Sequence, residues 1–235
     1  MPNQKMLAER DELHHDFLDL GRCVEGVVAV MARSFDEPHW SGNDQVGIGN
    51  GALNELGTRI AERCQRILLL YQPVASDFRE VTALLRMVAE LEQVAKLAPA
   101  ITIRPANRIA LPRPIFQECS HLVASVHEMI HLALSAYEDR RLTLAHQVKE
   151  SHLEITDLAR MLTESLTSMM KSDSTMIEAG LNLFSLLQHV QRIADHVASL
   201  IEQVQFLQGS PSDCFVDNNW RVVGVEQFHA HRLFG

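Results

Sequence analysis

Cysteine is scarce. The 235 residues hold four, Cys23, Cys64, Cys119 and Cys214, none in a C-x-x-C spacing. A disulfide framework is therefore not expected, and the four read as reduced, buried thiols of a cytosolic protein. Basic charge is short as well: 21 Lys and Arg face 30 Asp and Glu, giving a net charge of -9 with no dense basic patch. Nucleic acid is a poor partner for such a surface. No apolar run approaches the roughly 20 residues that span a bilayer, so direct membrane insertion is not expected. The opening P-N-Q-K-M-L-A-E-R-D-E is too charged for a signal peptide. Strand-like alternation is nearly missing. Gly47, Gly49 and Gly51 lack the preceding strand that aims the amides of a phosphate-cradling loop.

What the chain does have is helical periodicity and enough apolar content, 46%, for a continuous core. Leu13, Phe17, Leu20, Val24, Val27, Met31 and Phe35 predict a first helix from Met6 to Phe35. The turn-rich D-E-P-H-W-S-G-N-D-Q-V-G-I-G-N-G reads as a loop or frayed start before a second helix, Ala52 to Tyr71. Pro73 ends that helix, and Ser76 or Asp77 is placed to cap a third one, whose apolar face is Val81, Leu85, Val88, Leu91, Ala95 and Ala98. Arg79, two residues after Asp77, reads as fixing this helix start rather than contacting phosphate.

After the proline-rich R-P-A-N-R-I-A-L-P-R-P the pattern repeats. Cys119, Leu122, Val126, Ile130, Ala133 and Tyr137 mark a fourth helix; Val148, Ile155, Leu158, Leu162, Leu166 and Met169 mark a fifth. Asp173 or Ser174 is placed to cap the sixth, which runs through Leu183, Leu187, Val190, Ala194, Val197, Ile201 and Val204. Phe35 and Tyr137, Pro73 and Asp173, and Glu92 and Gln191 lie about a hundred residues apart, so the simplest architecture is a three-helix unit used twice. The expected layout is all-α: two tandem antiparallel three-helix bundles, with repeats at 1–102 and 115–208, a linker at 103–114 and a tail at 209–235. In the tail, C-F-V-D-N-N-W-R-V-V could turn as a hairpin about Asn218-Asn219, and Trp220, Phe228 and Phe234 could dock on a partner.

Two signatures in order, Q-P-V-A-S-D-F-R-E with A-E-L-E-Q-V-A in the first half and Q-R-I-A-D-H-V-A-S-L-I in the second, make the chain resemble the PhoU family. That family regulates phosphate uptake and phosphate signalling in bacteria. The resemblance implies a cytoplasmic, non-enzymatic adaptor and a homodimer. It further implies contacts with the phosphate transporter ATPase and a phosphate sensor kinase that restrain the phosphate-starvation response. A metal-free regulator of another transporter is the near alternative.

PhoU-like proteins also carry E-R-I-G-D in each repeat, with a further ligand four positions on, and hold metal clusters there. Here Glu92 matches, but Gln93, Lys96 and Ala100 take the other places. In the second repeat Gln191 replaces the glutamate, Arg192 and Asp195 match, and Ser199 comes last. A lysine ammonium repels a cation, and amide or hydroxyl oxygens bind one less well than carboxylates do. On the second helix Asn50 and Asn54 stand where the family favours acids. The fifth helix offers Glu150, Glu154 and Asp157 as one acidic stripe, so the resemblance leaves room for a divalent ion (Mg, Mn, Zn or Fe) near Asp195, or for a stripe paired with Arg160 and Arg192.

A different chemistry is written at His127-Glu128-Met129-Ile130-His131. This matches the H-E-x-x-H of zinc hydrolases, with Glu150 or Glu154 as the third ligand. Glu118 with His121, and Glu128 with His131, also form E-x-x-H pairs, but di-iron sites need such pairs on two facing helices. His196, beside Asp195, reads as a surface histidine or as a partner of a metal ligand.

Overall fold

The structure, a computed structural model, describes residues 2–35, 43–102, 111–208, 215–216 and 222–223. Its body consists of six helices: α1 (Pro2–Ala32), α2 (Asn43–Tyr71), α3 (Ala75–Leu97), α4 (Arg113–Asp139), α5 (Leu142–Ser172) and α6 (Ile177–Leu207). Short 3-10 turns follow α1 and α3 and precede α6. Phe215–Val216 pairs antiparallel with Val222–Val223, while the turn expected at Asn218-Asn219 lies outside the described residues. Most of the predicted linker, together with Asn50's side chain, Cys214, Trp220, Phe228 and Phe234, falls outside the described residues.

The helices form because their apolar residues recur at the period of a helix and can be buried on one side. All seven apolar residues named for α6, and all six named for α4, are buried. In α1, Val28 rather than Val27 is fully buried, and in α3 Leu84 lies deeper than Leu85. Each buried Leu, Ile, Val or Phe among them contributes about 1.5–3 kcal/mol when removed from water. These faces merge into one core cluster reaching from Met6 to Val204.

Each repeat packs internally, α2 on α1 and α3, and α5 on α4 and α6. The repeats then meet along two seams, α1 against α4 and, more extensively, α3 against α6. On the first seam Gly21 lets α1 approach closely, because a Cβ there would run into the side chain of Leu134. Phe17 and Tyr137 meet edge to face across it, with ring centroids 4.6 Å apart. Outside the core, α1 is laced to α2 by ion pairs: Arg63 Nη1 lies 2.8 Å from Glu12 Oε2, and Arg66 Nη2 lies 3.2 Å from Glu9 Oε2.

Four local expectations need correction. α2 begins at Asn43, not Ala52, so much of the glycine-bearing stretch is helical; several turns of contact with α1 and α3 outweigh a weak local propensity. α3 begins at Ala75 with Val74 as its N-cap and no side-chain cap, because Asp77 already lies inside the first turn. Asp77 instead takes a hydrogen bond from Arg10 Nη1 at 3.0 Å, tying α3 to α1. Asp173 does cap, through a 2.9 Å bond from the Thr175 N–H, but it caps the 3-10 turn ahead of α6. Finally, Cys64 and Cys119 are buried, whereas Cys23 is exposed.

Candidate functional site

The candidate metal-ligating residues of the two repeats lie along α2, α3, α5 and α6, and the H-E-x-x-H along α4. On α6, Asp195 places Oδ1 2.8 Å from His152 Nε2 of α5. Gln191 and Asp195 share a shallow cleft with Thr156, Gln188 and Arg192, so the structure brings these two of the sequence-selected oxygens together. Ser199 is half-buried one turn beyond Asp195.

The acidic stripe of α5 does not join them. Glu150, Glu154 and Asp157 are exposed on the side of α5 away from His152, and Asp157 pairs instead with Arg160 at 3.3 Å. In the first repeat Glu92 lies over α2 at Gly57, where a Cβ would collide with its carboxylate, and its Oε2 stands 3.9 Å from Lys96 Nζ. Asn54 is exposed on α2. Among the described residues no three His, Cys, Asp or Glu side chains are grouped so as to hold a metal ion. The donors present do not fit the family's metal clusters: a lysine stands where a carboxylate is needed, and Asp195 has only an amide and a hydroxyl along its own helix.

The H-E-x-x-H residues meet a partner that the sequence did not reveal. His131 Nδ1 lies 3.0 Å from Glu25 Oε1 of α1, and His127 Nε2 lies 3.8 Å from the same oxygen. Glu128 is exposed on another side of α4, and Glu150 and Glu154 are exposed on α5. The motif thus supplies a histidine–carboxylate contact on the α1–α4 seam. Its signal in sequence was only the i, i+4 spacing of the histidines; Glu25 is about a hundred residues away and carried none.

His196 is no free surface residue either: its Nδ1 lies 2.7 Å from Glu90 Oε2 of α3, across the second seam. His14 Nδ1 and Tyr137 Oη share a hydrogen bond of 2.8 Å. Burial, with His15 adding to it, holds the His14 imidazole below its ordinary pKa of 6.5. The neutral ring accepts a hydrogen bond from the Tyr137 O–H, and burial raises the Tyr137 pKa. Arg79 makes no pair with Asp77; its guanidinium sits over the Phe206 ring, 5.6 Å from the centroid.

Two separate stretches, residues 18–102 and 120–204, match the model of the PhoU domain, and each spans one three-helix repeat. A Pseudomonas aeruginosa protein named phosphate-specific transport system accessory protein PhoU homolog is 26% identical over 208 residues, covering 87% of this chain and 86% of its own. PhoU homolog 2 of Methanothermobacter thermautotrophicus is 32% identical over 150 residues, 64% of this chain and 67% of its own. The crystal structure of PhoU from Pseudomonas aeruginosa superposes with a TM-score of 0.77 at 26% identity, covering 85% of this chain and 97% of that one. The Streptococcus pneumoniae PhoU structure, at 20% identity and a TM-score of 0.75, shares the fold. With the domain present twice and the six-helix layout reproduced, the chain belongs to the PhoU family.

Proposed function

We propose that this protein is a cytoplasmic, non-enzymatic regulator of phosphate transport. It acts by contact with the phosphate transporter's ATPase and a phosphate sensor kinase, as a homodimer, and restrains the phosphate-starvation response when phosphate is plentiful. The observation that carries this is the double match to the PhoU domain over the helical body, together with relatives named as accessory proteins of a phosphate-specific transport system.

The surface suits an adaptor. Leu69 and Val74 are 77% and 75% exposed at the α2–α3 turn, with Leu70 and Phe78 beside them, and Leu153, Met161 and Leu181 stand exposed on α5 and α6. Apolar side chains of this size left in water are commonly covered by a partner when they cluster. No described helix is long and apolar enough to cross a membrane, so contact with a transporter would run through that transporter's own exposed parts. The family's metal chemistry forms no part of this proposal, since the donors at Lys96, Gln191 and Ser199 do not suit it.

Affinity capture of the full chain from phosphate-replete cells tests the reading. Recovery of a phosphate-transport ATPase or a sensor kinase is expected, weakened when Leu69 and Val74 are both changed to Ser. Recovery of neither, in cells whose phosphate-responsive genes also stay repressed after the gene is deleted, would overturn it.

A further inference from the structure

A cleft of about 260 Å³ opens where the start of α3 meets the ends of α4 and α6. Its donors come from three separate places: Ser76 and Arg79 on α3, Arg140 just past α4, and Gln208 at the end of α6. Arg140 is held by Glu80, whereas the side chains of Ser76, Arg79 and Gln208 have no hydrogen-bond acceptor among the described residues. The Gln208 amide nitrogen is buried and has no hydrogen-bond partner among the described residues. A buried unpaired N–H costs about 1–3 kcal/mol, which an acceptor brought within its reach would recover. Arg79 rests on the face of Phe206, and a cation over a ring uses none of its N–H groups for that contact. Ser76 is exposed in the uncapped first turn of α3.

The one carboxylate in the cleft is already paired. Glu80 takes Arg140 Nη2 at 3.1 Å and faces Arg10 Nη1 at 3.6 Å, and Tyr137 Oη is engaged by His14. Two arginines against one carboxylate leave the lining with net positive charge, and Arg79, Ser76 and the Gln208 amide each have an N–H or O–H to offer. A ligand that satisfies it must be rich in acceptors and negatively charged. A planar carboxylate offers two oxygens in one direction, whereas donors arriving from three elements call for oxygens in several directions.

We propose that this cleft binds a phosphate group, free or as a small ester, through Arg79 and the Gln208 amide, with Arg140 and Ser76 as further donors. Val204 and Leu207 form its apolar wall, which would suit an ester's carbon skeleton. The claim rests on the donors round the cleft and not on the regulatory reading, so either can fail without the other.

The test is calorimetric titration of the purified full chain, at fixed ionic strength, with inorganic phosphate, glycerol 3-phosphate and acetate. Saturable binding of at least one phosphate compound at about millimolar strength or tighter is expected. The tighter of the two identifies the source, free ion or ester. Arg79→Gln and Gln208→Leu should each weaken it about ten-fold or more, while Arg59→Gln, on exposed α2 surface, leaves it unchanged. If circular dichroism shows that Arg79→Gln fails to fold, Gln208→Leu and Ser76→Ala carry the comparison. No saturation by about 10 mM, acetate bound as tightly as phosphate, or loss in Arg59→Gln equal to that in Gln208→Leu would overturn the proposal.

Discussion

His196 of α6 and Glu90 of α3 meet at 2.7 Å, each about a quarter exposed, and so join the third helix of one repeat to that of the other. Half-buried, charge-assisted contacts of this kind are worth more than a solvated surface pair and less than a core residue. A double-mutant cycle with His196→Ala and Glu90→Ala should return a coupling of roughly 0.5–1 kcal/mol by urea denaturation. Zero coupling would reduce the contact to coincidence of position.

The His14–Tyr137 bond on the other seam makes stability depend on pH. Because burial lowers the folded pKa of His14 below 6.5, the unfolded chain takes up that proton first. His14 therefore supports the folded state fully above pH 6.5, and the support is lost as pH falls from there towards its folded pKa. Chemical denaturation at about pH 8 and about pH 5 should show wild type losing more stability on acidification than His14→Gln does, since the variant lacks this proton. Equal losses in the two proteins would contradict it.

Gly21 sits where α1 and α4 approach through Leu134. Gly21→Val should cost about 1–3 kcal/mol, since a branched side chain there forces the seam apart. Gly26, on the same helix, has open space round its Cβ position. Gly26→Ala should therefore stabilise, by up to about 1 kcal/mol of helix propensity. Thermal melts of both variants check the contrast.

The cysteines differ in reactivity for a reason visible in their surroundings. Burial raises the Cys64 and Cys119 thiols to about 12, leaving almost no thiolate at neutral pH, whereas Cys23 is exposed. In a Cys214→Ser background, one thiol per chain should react quickly with a soluble disulfide reagent under native conditions. Two more should follow at the rate of unfolding. Three fast thiols would mean that α2 and α4 open readily.

How much of this was written in the chain depends on the range over which each feature is decided. The six helices, the duplication and nearly all of the core were legible, because helical periodicity is a local property: the spacing of Leu183, Leu187 and Val190 alone forces a buried face. Local rules failed where distant contacts outweighed them. Asn43 to Gly51 looked like a loop, yet α2 includes it, and Asp77 looked like a cap, yet Arg10 claims it.

The polar partnerships were settled only by tertiary packing. Spacing along α4 showed that His127 and His131 share a side, but not that Glu25 would face them; spacing along α6 showed Asp195 outward, but not that His152 would reach it. The cleft beside Gln208 exists only because the ends of three helices from both repeats converge. A repeating apolar pattern specifies which side of a helix is buried, since burial follows area. Which side chains then meet across a seam depends on the rotation and offset of one helix against another, and those are set by the packed core as a whole.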